Sequence, residues 1–153
     1  MTAPLPQPPL LVACLCAQWC GSCRDYRATF DEIAAAFPGM HFVWVDIEDE
    51  ADLVDPVEVE NFPTLLIAAN DGARFFGPLT PHKETLVRLL QVHEASEGSA
   101  PLADAEVQSL VKRLQATRRS ALADFSSASV QASRLLSKVL RTSSRCFSRP
   151  ASR

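Results

Sequence analysis

Two cysteines separated by two residues are the part of this sequence best suited to chemistry. Cys20 and Cys23 lie within the segment Trp19-Cys20-Gly21-Ser22-Cys23, between a short apolar run and a helical pattern. At a helix start, unpaired backbone N–H groups and the positive end of the helix dipole stabilise a thiolate on the first cysteine. That thiolate can attack a disulfide, and the second thiol, one turn away, can release the product. The spacing therefore predicts thiol–disulfide exchange.

The same pair of cysteines admits two other interpretations, a static structural disulfide or part of a zinc site. A zinc site needs further ligands, but Cys146 is remote in the tail and the three histidines lack ligand spacing. We therefore expect no metal, and the exchange chemistry requires no cofactor. Trp19 and Gly21 disfavour an inert disulfide, because an aromatic residue offers docking surface and a glycine lets another backbone approach closely.

Length and composition indicate one globular domain with an appendage. The chain has 153 residues, of which 47% are hydrophobic and 22% charged, which is ordinary for a folded domain. Five cysteines are an odd number, and Cys14, Cys16 and Cys20 crowd into seven residues. This favours a reduced compartment over a disulfide framework, with Cys14 and Cys16 as small buried strand residues. For Cys14, exchange with Cys23 is the alternative. Because a basic start and a long apolar segment are missing, we expect no signal peptide, no transmembrane segment and a cytoplasmic protein.

The charge is unevenly distributed along the chain. Residues before Arg118 include seven basic and seventeen acidic side chains, whereas those from Arg118 onward include eight basic and one acidic. The basic tail is rich in serine and lacks interleaved aromatic residues, so nucleic-acid binding has little support. We expect a largely disordered tail; the alternative is a basic amphipathic helix that meets a membrane surface or an acidic partner.

The hydrophobic pattern predicts a strand and a helix on either side of Cys20. Residues 10–17 are continuously apolar, as in a strand buried on both faces. The helix is expected to run from Cys20 to about Phe37. Its apolar stripe recurs at helical spacing and consists of Tyr26, Phe30, Ile33 and Phe37.

The later elements alternate in the same way. They are a strand at 41–47, a short helix at 51–53, a strand at 65–69 and a strand at 74–77. Thr80 and Pro81 predict the N-cap and first residue of a helix that runs to about Ala95 and buries Leu86, Leu89 and Leu90. Asp104 caps a further predicted helix, whose apolar face consists of Val107, Leu110, Val111 and Leu114.

The order of these elements predicts an α/β fold with a central mixed sheet flanked by helices. We divide the chain into a Pro-rich N-terminal segment at 1–9, a domain at 10–95, a linker and additional helix at 96–117, and the Ser/Arg-rich tail at 118–153. The additional helix is expected either to dock onto the domain or to meet a partner.

The motif around Cys20, together with Phe62-Pro63-Thr64 about forty residues later, resembles the thioredoxin family. The resemblance covers roughly residues 10–95. It implies a thioredoxin-like fold that lacks the family's usual first strand and helix and carries a C-terminal helical extension. It also implies a thioredoxin-type protein disulfide oxidoreductase.

By this resemblance, Cys20 is the exposed nucleophile and Cys23 the buried resolving thiol. A cis peptide precedes Pro63, the Phe62 backbone pairs with the incoming substrate chain, and Gly77 lies in a small apolar loop beside the site. The predicted substrate-binding residues are Trp19, Gly21, Ser22, Phe62, Pro63 and Gly77. The implied partners are protein disulfide substrates and a recycling reductase or thiol pool, and we expect a monomer.

Three positions depart from the family pattern. Cys14 stands where a buried aspartate commonly assists the resolving cysteine, and Trp44 stands where its lysine partner would be. Ser22 replaces the proline that is frequent between the two cysteines. Because proton transfer from Cys23 then needs water or another group, a thioredoxin-like binding module with little redox turnover is the alternative function.

The Ser22 hydroxyl can donate a hydrogen bond to a thiolate and so stabilise the reduced form. We therefore expect the Cys20–Cys23 pair to be a weaker reductant than thioredoxin, with a potential above about −270 mV. Equilibration of the pair with glutathione buffers measures this potential. A value at or below that of thioredoxin would contradict the prediction.

Overall fold

A four-stranded sheet with helices on both faces positions the two cysteines. The architecture comes from a computed structural model that describes residues 9–95 and 100–120. Nearly all of the predicted N-terminal segment, most of the linker and the tail beyond residue 120 lie outside the described residues. The chain divides into two units, Met1–Leu114 and Gln115–Arg153. In the second unit, residues 115–120 are described, and they are helical.

The elements of the first unit follow the predicted alternation. In chain order they are β1 (Leu11–Cys16), α1 (Gly21–Ala36), β2 (His41–Asp46), α2 (Ala51–Val54), β3 (Thr64–Ala69), β4 (Gly72–Pro78) and α3 (Lys83–Ala95). A further helix, α4, begins at residue 105. The sheet order is β2-β1-β3-β4, with β1 parallel to β2 and antiparallel to β3. This confirms the predicted α/β class, the mixed sheet and the C-terminal helix.

Strand β1 is the centre of the molecule, and all six of its residues are buried. Its side chains alternate between two apolar clusters, as the pleat of a strand requires. Leu11, Ala13 and Leu15 pack in the cluster that includes the buried residues of α4. Val12, Cys14 and Cys16 pack in the cluster that includes α1 and α3. The continuous apolar run thus reflects burial of both faces.

The start of α3 differs from the prediction. The helix begins at Lys83, so Thr80 is not its N-cap and Pro81 is not its first residue. The His82 N–H instead donates to the Thr80 carbonyl across 2.7 Å, which closes a three-residue turn. The first helical hydrogen bond runs from the Leu86 N–H to the His82 carbonyl at 3.4 Å. The Thr-Pro pair therefore forms the approach to the helix.

The part of α4 that belongs to the first unit, up to Leu114, packs against the sheet, which is one of the two predicted alternatives. The Asp104 carboxylate accepts hydrogen bonds from the backbone N–H groups of Glu106 and Val107 at 3.0 and 3.1 Å, which is the predicted cap. The four predicted apolar positions are all buried in one cluster with β1: Val107, Leu110, Val111 and Leu114. Among the described residues, no helix is long and apolar enough to cross a membrane.

A glutamine fastens α4 to the edge of the sheet. The Gln108 side-chain oxygen accepts from the Ala73 N–H at 3.0 Å, and its nitrogen donates to the Leu102 carbonyl at 2.7 Å. Gly72 has φ +145°, and a Cβ there would collide with the Gln108 side chain. Glycine therefore serves both the tight turn into β4 and the close approach of α4.

Replacing Gln108 with leucine is expected to lower the free energy of unfolding by about 1–3 kcal/mol, because the buried Ala73 N–H would be left without a hydrogen-bond acceptor. Urea unfolding of the full chain measures the change. The matched control is Gln91→Leu, at an exposed position of α3. Equal stability of the two variants would contradict the role assigned to Gln108.

Candidate active site

Cys20 lies at the junction between β1 and α1. Its N–H donates to the Ala17 carbonyl at 3.0 Å, which closes a tight turn directly after the strand. Cys20 is the N-cap of α1, with extended backbone angles, and its own carbonyl accepts from the Arg24 N–H at 3.3 Å. The turn therefore places the first reactive sulfur at the helix start, as the sequence predicts.

The two cysteines of the motif differ in accessibility. Cys20 is half-buried, whereas Cys23, in the first turn of α1, is 1% exposed. Both are free thiols, so this is the reduced form of the pair. An incoming disulfide can therefore reach Cys20 but not Cys23.

Burial raises the pKa of the Cys23 thiol well above its usual range. A hydrogen bond with the Cys16 thiol raises this pKa further, and a hydrogen bond from the Ala17 backbone opposes the rise. Cys14 and Trp44, which the resemblance aligns with the family's aspartate and lysine, are register partners on β1 and β2. Cys23 therefore stays protonated at neutral pH in the reduced protein.

Trp19 and Phe62 form an aromatic surface beside Cys20. Trp19 is 63% exposed, and its ring meets that of Phe62 edge-on at 5.4 Å between centroids. The Trp19 indole N–H donates to the Glu48 carboxylate at 3.1 Å. The peptide bond between Phe62 and Pro63 is cis, as the resemblance implies, and the Pro63 carbonyl accepts from the Leu79 N–H at 2.9 Å.

The other predicted substrate-binding residues lie in two places. Gly21 and Ser22 are exposed in the first turn of α1. Gly77 belongs to the end of β4, where it pairs with Leu65, so the expected loop is a strand end. Gly77 nevertheless lines one pocket together with Asn61, which precedes Phe62.

A small pocket adjoins the buried thiol. Its volume is about 130 Å³, and its lining includes Cys23, Arg24, Asp46 and Trp44. The Arg27 guanidinium lies over the Trp44 ring, 4.7 Å from its centroid. The lining is mainly apolar, with Arg24 and Asp46 among its polar residues, and the volume is large enough for a water molecule.

Sequence reasoning interpreted Cys14 and Cys16 as small buried residues, with exchange between Cys14 and Cys23 as a side possibility, and it missed the contact between Cys14 and Cys16. The two sulfurs lie 3.7 Å apart, and Cys16 is also the hydrogen-bond partner of Cys23. The alternation of β1 was the available signal, because residues two apart on a strand share a face. Within 9–95 and 100–120, no group of three or more metal-binding side chains is arranged to hold a metal ion.

Comparison with known proteins gives one consistent result. A family model described as thioredoxin matches residues 5–91. A thioredoxin H-type from Oryza sativa subsp. indica is 34% identical over 77 residues, which cover 50% of this chain and 62% of the relative. A thioredoxin H-type from Fagopyrum esculentum is 31% identical over 84 residues, covering 55% and 72% respectively. The match to this chain thus spans less than two thirds of the length of the Oryza sativa relative.

Among solved structures, the crystal structure of thioredoxin from Trypanosoma brucei brucei superposes with a TM-score of 0.51. The two sequences are 26% identical, and the match covers 57% of this chain and 77% of the trypanosomal chain. The residues matched by the family model, 5–91, include the sheet and the segment that carries Cys20 and Cys23.

The difference in accessibility predicts selective alkylation. With iodoacetamide at about pH 8, we expect Cys20 to react first, while Cys23 remains unmodified because burial and its raised pKa leave little thiolate. Peptide mapping by mass spectrometry identifies the modified residues, and alkylation in urea provides the fully reactive control. Equal rates at both cysteines in the folded protein would contradict this assignment.

Proposed function

The chain belongs to the thioredoxin family, and we propose from this membership and the geometry around Cys20 that it is a thiol–disulfide oxidoreductase acting on protein disulfides. One observation carries the proposal: an accessible Cys20 and a buried Cys23 share the first turn of one helix. Family membership supports this chemistry in general, and the contrast in burial supports a separate role for each thiol.

The proposed reaction has two exchange steps. The Cys20 thiolate attacks one sulfur of the substrate disulfide; a mixed disulfide forms, and the other substrate sulfur leaves and is protonated. Cys23 then attacks the Cys20 sulfur, which forms the Cys20–Cys23 disulfide and releases the second substrate thiol. Two electrons pass from the protein to the substrate, and the reaction needs no metal or cofactor.

Substrate binding is assigned to the surface next to Cys20. The exposed Trp19 ring, supported by Phe62 and held by Glu48, supplies an apolar platform. We propose that the Phe62 backbone pairs with an extended substrate segment, as a strand added to a sheet edge would. Gly21, Ser22, Pro63 and Gly77 complete the proposed substrate-binding set, because each is small or keeps the approach to Cys20 open.

The second step requires a route for the proton of Cys23. The family's aspartate is replaced by Cys14, and Asp46 is among the residues that line the pocket beside Cys23. We propose that water in this pocket accepts the proton and that Asp46 stabilises the transfer. Because the pKa of Cys23 is raised, we expect this step to be slower than the first.

The raised pKa of Cys23 also favours a second candidate function, a thioredoxin-like binding module with little redox turnover. If Cys23 resolves slowly, Cys20 holds its partner as a mixed disulfide for longer. The two functions differ in a measurable way, since an oxidoreductase turns over repeatedly whereas a binding module retains its partner.

The cellular setting is part of the proposal. Regeneration requires a separate reductase or a thiol pool, because the cycle leaves the pair oxidised. Crowding of free cysteines around the motif supports a reduced, cytoplasmic environment. We propose that residues 10–95 carry the activity and that the protein acts as a monomer.

Insulin reduction in the presence of dithiothreitol tests the proposal. The wild-type chain is expected to accelerate precipitation of the insulin B chain, and Cys20→Ser to lower the rate to that of dithiothreitol alone, because the attacking sulfur is gone. Cys23→Ser is expected to stop after the first step and to accumulate a mixed disulfide with the substrate.

Cys146→Ser serves as the control, since it removes a cysteine far along the chain from the motif. Its rate is expected to match that of the wild type. If wild type and Cys20→Ser have the same rate, the oxidoreductase function is refuted; if wild type captures substrate once without turnover, the binding module replaces it.

A further inference from the structure

Strand β1 carries two cysteines that the proposed reaction does not use. Cys14 and Cys16 are 0% and 1% exposed, and their sulfurs lie 3.7 Å apart on one face of the strand. Both belong to the buried cluster that contains Cys23 and is contacted by Cys20. Four thiols are therefore gathered at the end of β1 and the start of α1.

Cys16 is the member of this group that adjoins the reactive pair. The turn closed by the Cys20 N–H and the Ala17 carbonyl follows Cys16 at once and folds the first turn of α1 back over the strand end. Ala17 and Cys23 line the same small pocket. The Cys23 thiol is hydrogen-bonded with the Ala17 backbone and with the Cys16 thiol.

We propose that Cys16 is a third redox-active cysteine, which exchanges with the oxidised Cys20–Cys23 pair and transfers the disulfide to Cys16–Cys23. The inference rests on the proposed function, because it extends the chemistry of the same site. The Cys16 sulfur attacks the Cys23 sulfur; the bond between Cys16 and Cys23 forms, and the bond between Cys20 and Cys23 breaks. Cys20 leaves as the thiolate and takes up the proton that Cys16 gives up, so no external oxidant is consumed.

Geometry favours a bond from Cys16 to Cys23 over a bond from Cys16 to Cys14. Residues two apart on one extended strand have Cα atoms about 6.7 Å apart, at the upper limit for a disulfide. Cys23 instead belongs to a separate helix, so its distance from Cys16 is not set by the repeat of one extended strand.

The exchange is expected to be slower than turnover. The hydrogen bond with Cys14, together with burial, raises the pKa of the Cys16 thiol above its usual range. A protonated thiol is a poor nucleophile, so Cys16 competes when the Cys20–Cys23 disulfide persists, that is, when the reductant is exhausted.

The transfer changes what the site does. With Cys23 bonded to Cys16, Cys20 becomes free to attack again but has no thiol to resolve the product. The protein then forms lasting mixed disulfides at Cys20 and changes from a dithiol catalyst into a monothiol that captures its partner. Cys16 would thereby couple the activity to the supply of reductant.

Oxidation of the full chain carrying Cys20→Ser and Cys146→Ser tests the inference. Diamide, a diazene oxidant, accepts the two hydrogens, and N-ethylmaleimide after an acid quench blocks the remaining thiols. Mass spectrometry is expected to find a Cys16–Cys23 link within the monomer and the loss of two thiols. The link should be lost when Cys16→Ala is added and retained when Cys14→Ala, an equally buried neighbour, is added.

A second arm follows the transfer without oxidant. The Cys146→Ser protein is prepared with the Cys20–Cys23 disulfide, freed of diamide and incubated. Labelling of Cys20 by N-ethylmaleimide should then rise with time, and this rise should be lost in Cys16→Ala and in the isosteric Cys16→Ser. Near-ultraviolet circular dichroism checks that each variant is folded.

The inference is overturned if Cys23 stays a free thiol in the folded Cys20→Ser protein, or if the link joins other cysteines. This result does not depend on turnover, because the Cys20→Ser protein has lost the attacking sulfur. Failure of the proposed function appears instead as an inactive wild type in the insulin assay, so the two failures are distinguishable.

Discussion

Burial of β1 on both faces is the constraint on which the site depends. Every residue of the strand is enclosed between the cluster of α4 and the cluster of α1 and α3, so the strand cannot slide or twist without exposing apolar surface. Its end is therefore a fixed point. The hydrogen bond between the Cys20 N–H and the Ala17 carbonyl holds the start of α1 against the end of this strand. A mobile strand would leave the two thiols of the motif without defined exposure.

Features determined by neighbouring residues could be predicted from the sequence. The continuous apolar run of β1, the stripe of α1 and the Asp104 cap each follow from periodicity or from a side chain that reaches its own backbone. The mixed sheet followed from the order of these elements. The separate exposure of Cys20 and Cys23 followed from a family motif rather than from composition.

Features that depend on distant contacts could not be predicted in this way. The contact of Gln108 with Ala73 joins residues 35 apart, and nothing local indicates it. Thr80 can either cap a helix or take part in a tight turn. In the structure its carbonyl accepts from the His82 N–H in a tight turn, and it does not cap α3. The alternation of β1 places Cys14 and Cys16 on one face and does not indicate which of them meets Cys23. Sequence reasoning considered exchange with Cys23 only for Cys14, whereas the thiol that is hydrogen-bonded with Cys23 is Cys16.

The strand beneath Cys23 carries the thiols of Cys14 and Cys16 where the family commonly has a carboxylate, and this difference affects both proton transfer and the disulfide. A carboxylate at position 14 would take the proton of Cys23 but could not form a covalent bond with it. The thiols here are already protonated and cannot take the proton of Cys23, since burial and hydrogen bonds raise the pKa values of Cys16 and Cys23. They are, however, able to exchange. The strand that has Cys14 in place of a carboxylate also carries Cys16, the proposed competing acceptor for the disulfide. The balance between resolution and transfer then decides whether the protein releases or retains its substrate.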